Sequence, residues 1–294
     1  MKNMIRVHNL TYAYEKGDSP VLKDLNLHIA EGEYIALIGP NGCGKTTLIR
    51  HLNALLIPSA GEVLVDELST RNSKSLLEIR RRVGMAFQNA DNQIVGMSVE
   101  EDVAFGPGNL GLPPIEVRRR VDEALTRVSL IGLRSRPPHT LSGGQKQLLA
   151  LAGLLAMEPK IIVLDEPTAS LDPESKKKVL TLLRKLNSQG LGIIHVTHSM
   201  DEAALADRVL VMDQGELIAD GSPGDILSRV EWLKTLSLAP PQITELMWQL
   251  QQGGKDVSTC IFSVEDAVEE ITALLERLRS SSNFCFPRKA DGHV

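Results

Sequence analysis

Residues 39–46 read Gly39-Pro40-Asn41-Gly42-Cys43-Gly44-Lys45-Thr46, a string of the form GxxxxGK[ST]. Before it lies the short apolar run Tyr34–Ile38, and after it Lys45–Leu55 has helical character. Strand, glycine turn, helix is the context in which such a string cradles phosphate. Glycines let the backbone curl so that successive N–H groups converge on phosphate oxygens. The helix that follows adds its positive N-terminal end. Lys45 supplies a cation for the β- and γ-phosphates, and the Thr46 hydroxyl is a ligand for Mg²⁺. Thr47, one N–H further on, is placed to reach the α-phosphate. The Cys43 side chain reads as a bystander in this loop.

Other apolar runs lie at Val63–Val65, Val83–Phe87, Ile161–Leu164, Ile193–Val196 and Val209–Met212, several of them separated by helical patterns. That alternation predicts an α/β core with a largely parallel sheet. Upstream, Leu25, Leu27 and Ile29 alternate with Asn26 and His28, so the first thirty residues read as antiparallel β. From about 90 to 157 strand-like runs vanish, and Glu116–Val128 and Gln145–Met157 read as helices. This predicts a helical subdomain inserted into the core, with Arg118–Arg120 on a solvated face. Asp213-Gln214-Gly215-Glu216 reads as a hairpin turn.

The expected organisation is a core domain over 1–225, a helical extension over 226–280 and a flexible tail over 281–294. The core ends near Gly221-Ser222-Pro223, and Pro240-Pro241 marks a break. Ile243, Leu246, Met247 and Leu250 then recur at helical spacing. Ser263-Val264-Glu265-Asp266 has the form of a capping box opening a second helix, with Val264, Val268, Ile271, Leu275 and Leu278 on one face.

Composition narrows the function. Of 294 residues, 43% are hydrophobic and 23% charged, which excludes wholesale disorder. The net charge of −5 argues against a large basic nucleic-acid footprint. Three cysteines are too few for a disulfide framework and fit a reducing compartment. No run reaches the roughly 18 apolar residues that span a bilayer, and the N-terminus lacks a signal-peptide core. A soluble chain is expected, held at any membrane by something else.

Two further strings carry chemistry. Ile161-Ile162-Val163-Leu164-Asp165-Glu166 is a buried strand delivering two carboxylates at its C-terminal end, the edge where such sheets bind ligands. Asp165 fits the outer coordination position of Mg²⁺, and Glu166 can hold an attacking water. Leu141-Ser142-Gly143-Gly144-Gln145 opens a helix, so Ser142 and the glycine amides make a second anion-binding terminus. One chain thus carries two phosphate-reading helix ends but a single phosphate loop.

Over about residues 4–225 the sequence resembles the nucleotide-binding subunits of ATP-binding cassette transporters, with the family's motifs in order. The resemblance implies that Tyr14 stacks on adenine, with Tyr12 as the alternative. It makes Gln88 the Q-loop glutamine, 141–145 the signature and Asp165 the metal carboxylate. Glu166 is the catalytic glutamate, Ser170-Leu171-Asp172 the D-loop and His198 the switch histidine. His195, in the strand just before, reads as core. A head-to-tail dimer is implied, each ATP clamped between one chain's phosphate loop and the other's Ser142–Gln145, with Asp172 nearby. Glu166 polarises or deprotonates the water, Gln88 senses Mg²⁺ and water, and His198 donates to the γ-phosphate. Lys45, Mg²⁺ and the Ser142 helix end offset charge.

Within the family, Gln88-Asn89-Ala90-Asp91-Asn92-Gln93 followed by Glu101-Asp102-Val103-Ala104-Phe105-Gly106-Pro107 looks like the energy-coupling-factor branch, whose ATPases drive uptake of vitamins or of cobalt and nickel ions. Ala90 stands where that branch usually has proline, and Leu148 where the family commonly has arginine; neither touches the ATP chemistry. The branch implies membrane-embedded coupling and solute-binding subunits, a place at the cytoplasmic face of the cell membrane, and a C-terminal extension that supports dimer contact. Residues 89–105 would form the groove for a helix of the membrane partner. Other cassette transporter classes, and non-transport cassette ATPases of translation or repair, are the alternatives. Translation types usually hold two cassettes, and repair types insert coiled coils or zinc modules; this chain shows neither.

Overall fold

The computed structural model describes residues 3–15 and 17–281. It begins with β1 (Asn3–Tyr12), β2 (Leu22–Ala30), β3 (Tyr34–Ile38), α1 (Lys45–Leu52), β4 (Ala60–Val65), β5 (Leu68–Ser69), α2 (Leu76–Arg82) and β6 (Val83–Ala86). A helical stretch follows, with α3 (Val99–Asn109), α4 (Pro114–Arg127) and α5 (Gly143–Ala156). The core then resumes through β7 (Ile161–Asp165), α6 (Pro173–Ser188), β8 (Gly192–Val196), α7 (Met200–Ala203), β9 (Arg208–Asp213) and β10 (Glu216–Gly221). It ends in α8 (Pro223–Leu227), α9 (Val230–Thr235), α10 (Gln242–Gln252) and α11 (Val264–Ser281). The tail expected at 281–294 lies, past Ser281, outside the described residues.

One sheet is antiparallel, in the order β2-β1-β4-β5, and the other has the order β10-β9-β3-β8-β7-β6. In the second, only β10 runs antiparallel to its neighbour. Every residue of β3, β7 and β8 is buried, because both faces of this sheet are covered. Tyr34, Ala36, Ile38, Ile162, Leu164 and Ile193 face the helical side of the core. Ile35, Leu37, Ile161, Val163, Ile194 and Val196 face α1 and the antiparallel sheet. The period of two thus explains why the strands read as continuous apolar runs. Between β9 and β10, Gln214 and Gly215 both have positive φ, 46° and 87°, as a two-residue hairpin turn of the primed type requires.

The run Val63–Val65, read with those of the parallel core, lies instead in β4 of the antiparallel sheet, where it pairs with β1, and three helices also depart from the sequence reading. Helix α3 is invisible in the periodicity because Gly106, Pro107 and Gly108 sit in its last turns. It forms because Ser98 Oγ accepts from Glu101 N, three acidic residues fill the first turn, and Val99, Val103 and Pro107 are buried one turn apart. Arg120 does not belong to a solvated face. It is 7% exposed, because α4 turns it inward beside Val121 and Ala124; its guanidinium pairs with Glu116 at 2.7 Å and Glu158 at 2.8 Å. Finally, Val264, Val268, Leu275 and Leu278 of α11 share a face, but it is the outer one. The inner seam is Ala267, Ile271 and Leu274, packed with Met247, Val257 and Ile261.

The element break expected after 225 falls inside α8. Ile226, Leu227, Leu233 and Leu238, from α8 to just past α9, are buried in the main core, whereas α10 and α11 share a small core of their own. Among the described residues no helix is long and apolar enough to cross a membrane.

Candidate active site

Strands β3, β8, β7 and β6 are neighbours in that order and run parallel. Their C-terminal ends therefore open on one edge. The chain leaving β3 is the loop 39–46, the chain leaving β8 carries His198, β7 ends in Asp165 and Glu166, and Gln88 follows β6. Residues drawn from four separate motifs are brought together by topology alone.

The loop geometry explains its glycines. Gly39 has φ 151°, and a Cβ there would collide with the Met212 carbonyl oxygen. Gly44, with φ 108°, is the cap position of α1, and no side chain caps that helix. The cap residue thus occupies none of the first amides of α1, which can serve a ligand. Lys45 Nζ lies over the loop, donating to the carbonyls of Gly39 at 2.7 Å and Pro40 at 2.9 Å. Burial pushes its ammonium down from the usual lysine range, opposed by the negative groups around it, Glu166 and Asp165 among them. Cys43 is buried with Sγ 4.0 Å from Lys45 Nζ, and burial pushes its thiol up, as suits an unreactive packing side chain.

Thr46 Oγ1 donates to Asp165 Oδ2 at 3.0 Å. Burial pushes the Asp165 carboxyl up, the Thr46 bond opposing it. A hydroxyl and a carboxylate side by side form a hard-oxygen donor pair suited to Mg²⁺, which is typically held by one or two protein groups together with phosphates and water. Glu166 has φ 50°, a left-handed conformation that costs a non-glycine residue free energy and that clusters at functional sites. Its carboxylate is gripped from both sides: Gln88 Nε2 donates to Oε2 at 2.9 Å, and His198 Nε2 lies 2.8 Å from Oε1. The group so held can orient and deprotonate a water next to a phosphate in the loop.

Tyr14 is exposed, and its hydroxyl shares a hydrogen bond of 3.0 Å with Thr47 Oγ1. Tyr12 packs edge-on behind it at 5.1 Å, and the His51 ring behind Tyr12 at 4.6 Å. Tyr14 is therefore the outermost ring, with Tyr12 as its support. Sequence reasoning missed His51. Its signal was its place one turn after Thr47 on α1, whose carbonyl lies 2.8 Å from His51 Nδ1; burial pushes its pKa down.

The remaining site residues lie elsewhere in the chain. Ser142 Oγ accepts from Gln145 N at 3.3 Å, and Gln145 Oε1 accepts from Ser142 N at 3.0 Å, a reciprocal cap on α5. Ser142, Gly144 and Gln145 line a cleft of about 700 Å³ between α5 and α6 that contains no residue of the 39–46 loop. Asp172 caps α6, accepting from the amides of Glu174 and Ser175. Lys146, just past the signature, pairs with Asp91 at 2.6 Å.

Comparison with known proteins fits this geometry. The family model described as ABC transporter matches residues 22–169. The chain is 52% identical over 270 residues to the cobalt import ATP-binding protein CbiO of Syntrophus aciditrophicus, covering 92% of this chain and 96% of that one. It is 49% identical over 275 residues to the energy-coupling factor transporter ATP-binding protein EcfA1 of Caldanaerobacter subterraneus, covering 92% and 99%. Among solved structures, cbiO1 of Clostridium perfringens, part of the ABC transporter complex cbiONQ, superposes with a TM-score of 0.74 at 39% identity, covering 84% of this chain and all of that one. A dimeric ATP-binding cassette in a post-hydrolysis state with ADP and Pi gives a TM-score of 0.67 at 33% identity, covering 75% and 99%. The chain belongs to the ABC transporter family, and it is an ABC-type ATPase.

Proposed function

We propose that this ATPase energises an energy-coupling-factor type importer of a micronutrient, a vitamin or a cobalt or nickel ion, and that it works as a head-to-tail dimer at the cytoplasmic face of the membrane. The observation that carries the dimer is the separation of the two anion-binding helix ends. The cleft that the Ser142–Gln145 end lines contains no residue of the 39–46 loop, and a nucleotide held by both ends then takes two chains. The partner is an identical copy or a close paralogue.

On this reading the loop amides, Lys45 and Thr47 hold the phosphates, while Tyr14 stacks on the base. Thr46 and Asp165, with Gln88 at the edge, would hold Mg²⁺. When bound, the ion neutralises charge between the β- and γ-phosphates. Glu166, fixed by Gln88 and His198, orients the water and takes its proton. His198 then donates to the γ-phosphate, and Ser142, Gly143 and Gly144 of the partner copy close the site against water. Asp172 borders the same junction.

The membrane partner is supported by the surface beyond Gln88. Val95, Met97 and Phe105 are exposed, 59%, 83% and 56%, and α3 and α4 border a groove of about 640 Å³ that includes Glu101, Leu112 and Arg118. Apolar residues rimmed by charge suit a partner helix. The CbiO and EcfA1 names and the cbiONQ complex support the importer reading. The outer α11 face of Val264, Val268, Leu275 and Leu278 supports a further contact between the two copies.

Two experiments test this. In a variant with Glu166→Gln and the native cysteines replaced, Ser142→Cys paired with Gly42→Cys is expected to crosslink between chains when ATP is present and not without it. A crosslink that forms equally without nucleotide, or never forms, refutes the arrangement. Co-expressed with its membrane subunits, Glu101→Lys is expected to abolish uptake while ATP binding persists. Reversal at Asp91 would break its ion pair with Lys146 at 2.6 Å, and reversal at Glu101 gives up the bond its carboxylate accepts from Met97 N at 3.1 Å, within the same segment. Full uptake by the variant removes the groove from the coupling path.

A further inference from the structure

Behind the catalytic edge, four side chains converge on one buried carboxylate. Glu202 of α7 is 3% exposed. Its Oε1 accepts from Thr168 Oγ1 at 2.7 Å and pairs with Lys176 Nζ at 2.6 Å. Its Oε2 accepts from Thr197 Oγ1 at 2.9 Å and lies 3.1 Å from His195 Nε2. The other ring nitrogen of His195 is 3.2 Å from the Tyr34 hydroxyl, and both rings are fully buried. Burial alone would raise the Glu202 carboxyl, but the close approach of His195 and Lys176 outweighs it and holds it down to about 2. The Glu202 carboxyl is thus held toward its charged form, with Lys176 Nζ 2.6 Å away.

Its partners come from three separate segments: the chain after β7, the start of α6, and the end of β8 with Thr197 just past it. Thr168 lies two residues past Glu166. Thr197 directly precedes His198. Lys176 stands in the first turns of α6, where its own amide donates to the carbonyl of the capping residue Asp172 at 2.9 Å. A buried ion pair is weak evidence for stability, since well-packed apolar residues serve as well or better. What an apolar cluster cannot supply is a directional link between these three segments.

We infer that Glu202 and Lys176 are positioning residues for hydrolysis: through them the seat of the Asp172 loop fixes where His198 stands against Glu166. The inference rests on the roles proposed above for Glu166 and His198. It gives the Asp172 loop, which borders the partner copy in the proposed dimer, a direct mechanical route to the reacting edge. Its middle runs through side chains, from Lys176 to Glu202 to Thr197, and its two ends through backbone, the Lys176 amide on the Asp172 carbonyl and the peptide from Thr197 to His198.

Lys176 is the accessible end of the chain, its side chain 35% exposed, so it can be changed without opening the core. Lys176→Met is expected to lower kcat about tenfold while KM for ATP stays within about twofold. Lys176→Arg, which keeps the ion pair, is expected to restore at least about half the rate. Thr197→Val, of the same shape, cuts the link on the His198 side and is expected to show the same split between kcat and KM. A buried carboxylate that loses its cation destabilises the fold in either case, so the melting temperature does not separate the readings; a purely structural role would instead move KM with kcat. A kcat near the parent value in either cut variant, or Lys176→Arg as slow as Lys176→Met, overturns the inference. Glu166→Gln is measured alongside. If it still hydrolyses ATP, the site reading fails; if it is inactive while Lys176→Met is unimpaired, only the positioning link fails.

Discussion

The N-termini of α1 and α5 are both glycine-rich and both suited to anions, yet they are finished differently. At α1 the cap position is Gly44, which brings no side chain to the helix end. At α5, Ser142 and Gln145 satisfy one another's backbone. Gly44 and Lys45 are buried, whereas Ser142 and Gly143 are exposed. An enclosed helix end without a side-chain cap leaves its amides to be satisfied by a ligand. An exposed, self-capped end is stable by itself and meets a ligand only when another surface delivers it. The first is a whole phosphate site; on the proposed dimer the second is half of one.

Mutations at the two ends should therefore separate. Ser142→Arg is expected to reduce hydrolysis on the order of a hundredfold, the scale of losing a donor to transition-state charge. ATP affinity of the dilute single chain should stay near the parent value. Lys45→Met is expected to weaken that same affinity by about tenfold to a hundredfold, the worth of charge-assisted hydrogen bonds. Equilibrium binding by fluorescence and a phosphate-release assay measure the two quantities. If Ser142→Arg weakens single-chain binding as much as Lys45→Met does, the two ends serve one site within one chain and the contrast fails.

Gly144→Ala sharpens the comparison from the packing side. A methyl group there would meet the Ser175 side chain at the start of α6. Overpacking of this kind costs about 1–3 kcal/mol. The expected result is a lower melting temperature and slower hydrolysis, with single-chain ATP affinity unchanged. A smaller effect is expected at the base: Tyr14→Ala should weaken ATP binding about threefold to tenfold, the scale of one aromatic contact, and Tyr14→Phe should not. Equal losses in both would shift the role from the ring to the hydroxyl that meets Thr47.

What was legible in the sequence follows the same division. The 39–46 loop, the Ile161–Glu166 strand and the sheet strands could be read because local pattern and local chemistry coincide there. The α1 end is defined by adjacent residues, and so is the Ser142 cap. Helix α3 was hidden because Gly106, Pro107 and Gly108 argue locally against the helix that buried Val99 and Val103 stabilise. Arg120 was misread because an arginine run looks solvated until Glu158, from beyond α5, is brought against it. On α11 the spacing of Val264, Val268 and Leu275 was right but not their direction. Ala267 carries little hydrophobic signal, yet it marks the side that packs. The Glu202 cluster gave no local sign at all, since Thr168, Lys176, His195 and Thr197 each have an ordinary reading and converge only in three dimensions.

The mildest change makes the contrast most direct. Ser142→Ala removes the hydroxyl that caps α5 and should cost about 1 kcal/mol, a fall of about 2–4 °C in melting temperature for a chain of this size. Lys45→Met removes no cap; it relieves the cost of burying an ammonium but gives up the bonds to the Gly39 and Pro40 carbonyls, so the two offset and the melting temperature without nucleotide should stay near level. ATP reverses the order. A ligand that binds only the folded chain stabilises it by an amount set by its concentration relative to Kd. In the dilute single chain that ligand meets the α1 end alone. Ser142→Ala should therefore start lower than the parent yet gain the same increment from saturating ATP, and Lys45→Met should start level and gain little. An ATP increment that shrinks in Ser142→Ala would mean that the hydroxyl of α5 reads nucleotide bound to its own chain, and the separation between a whole site and a half site would be lost.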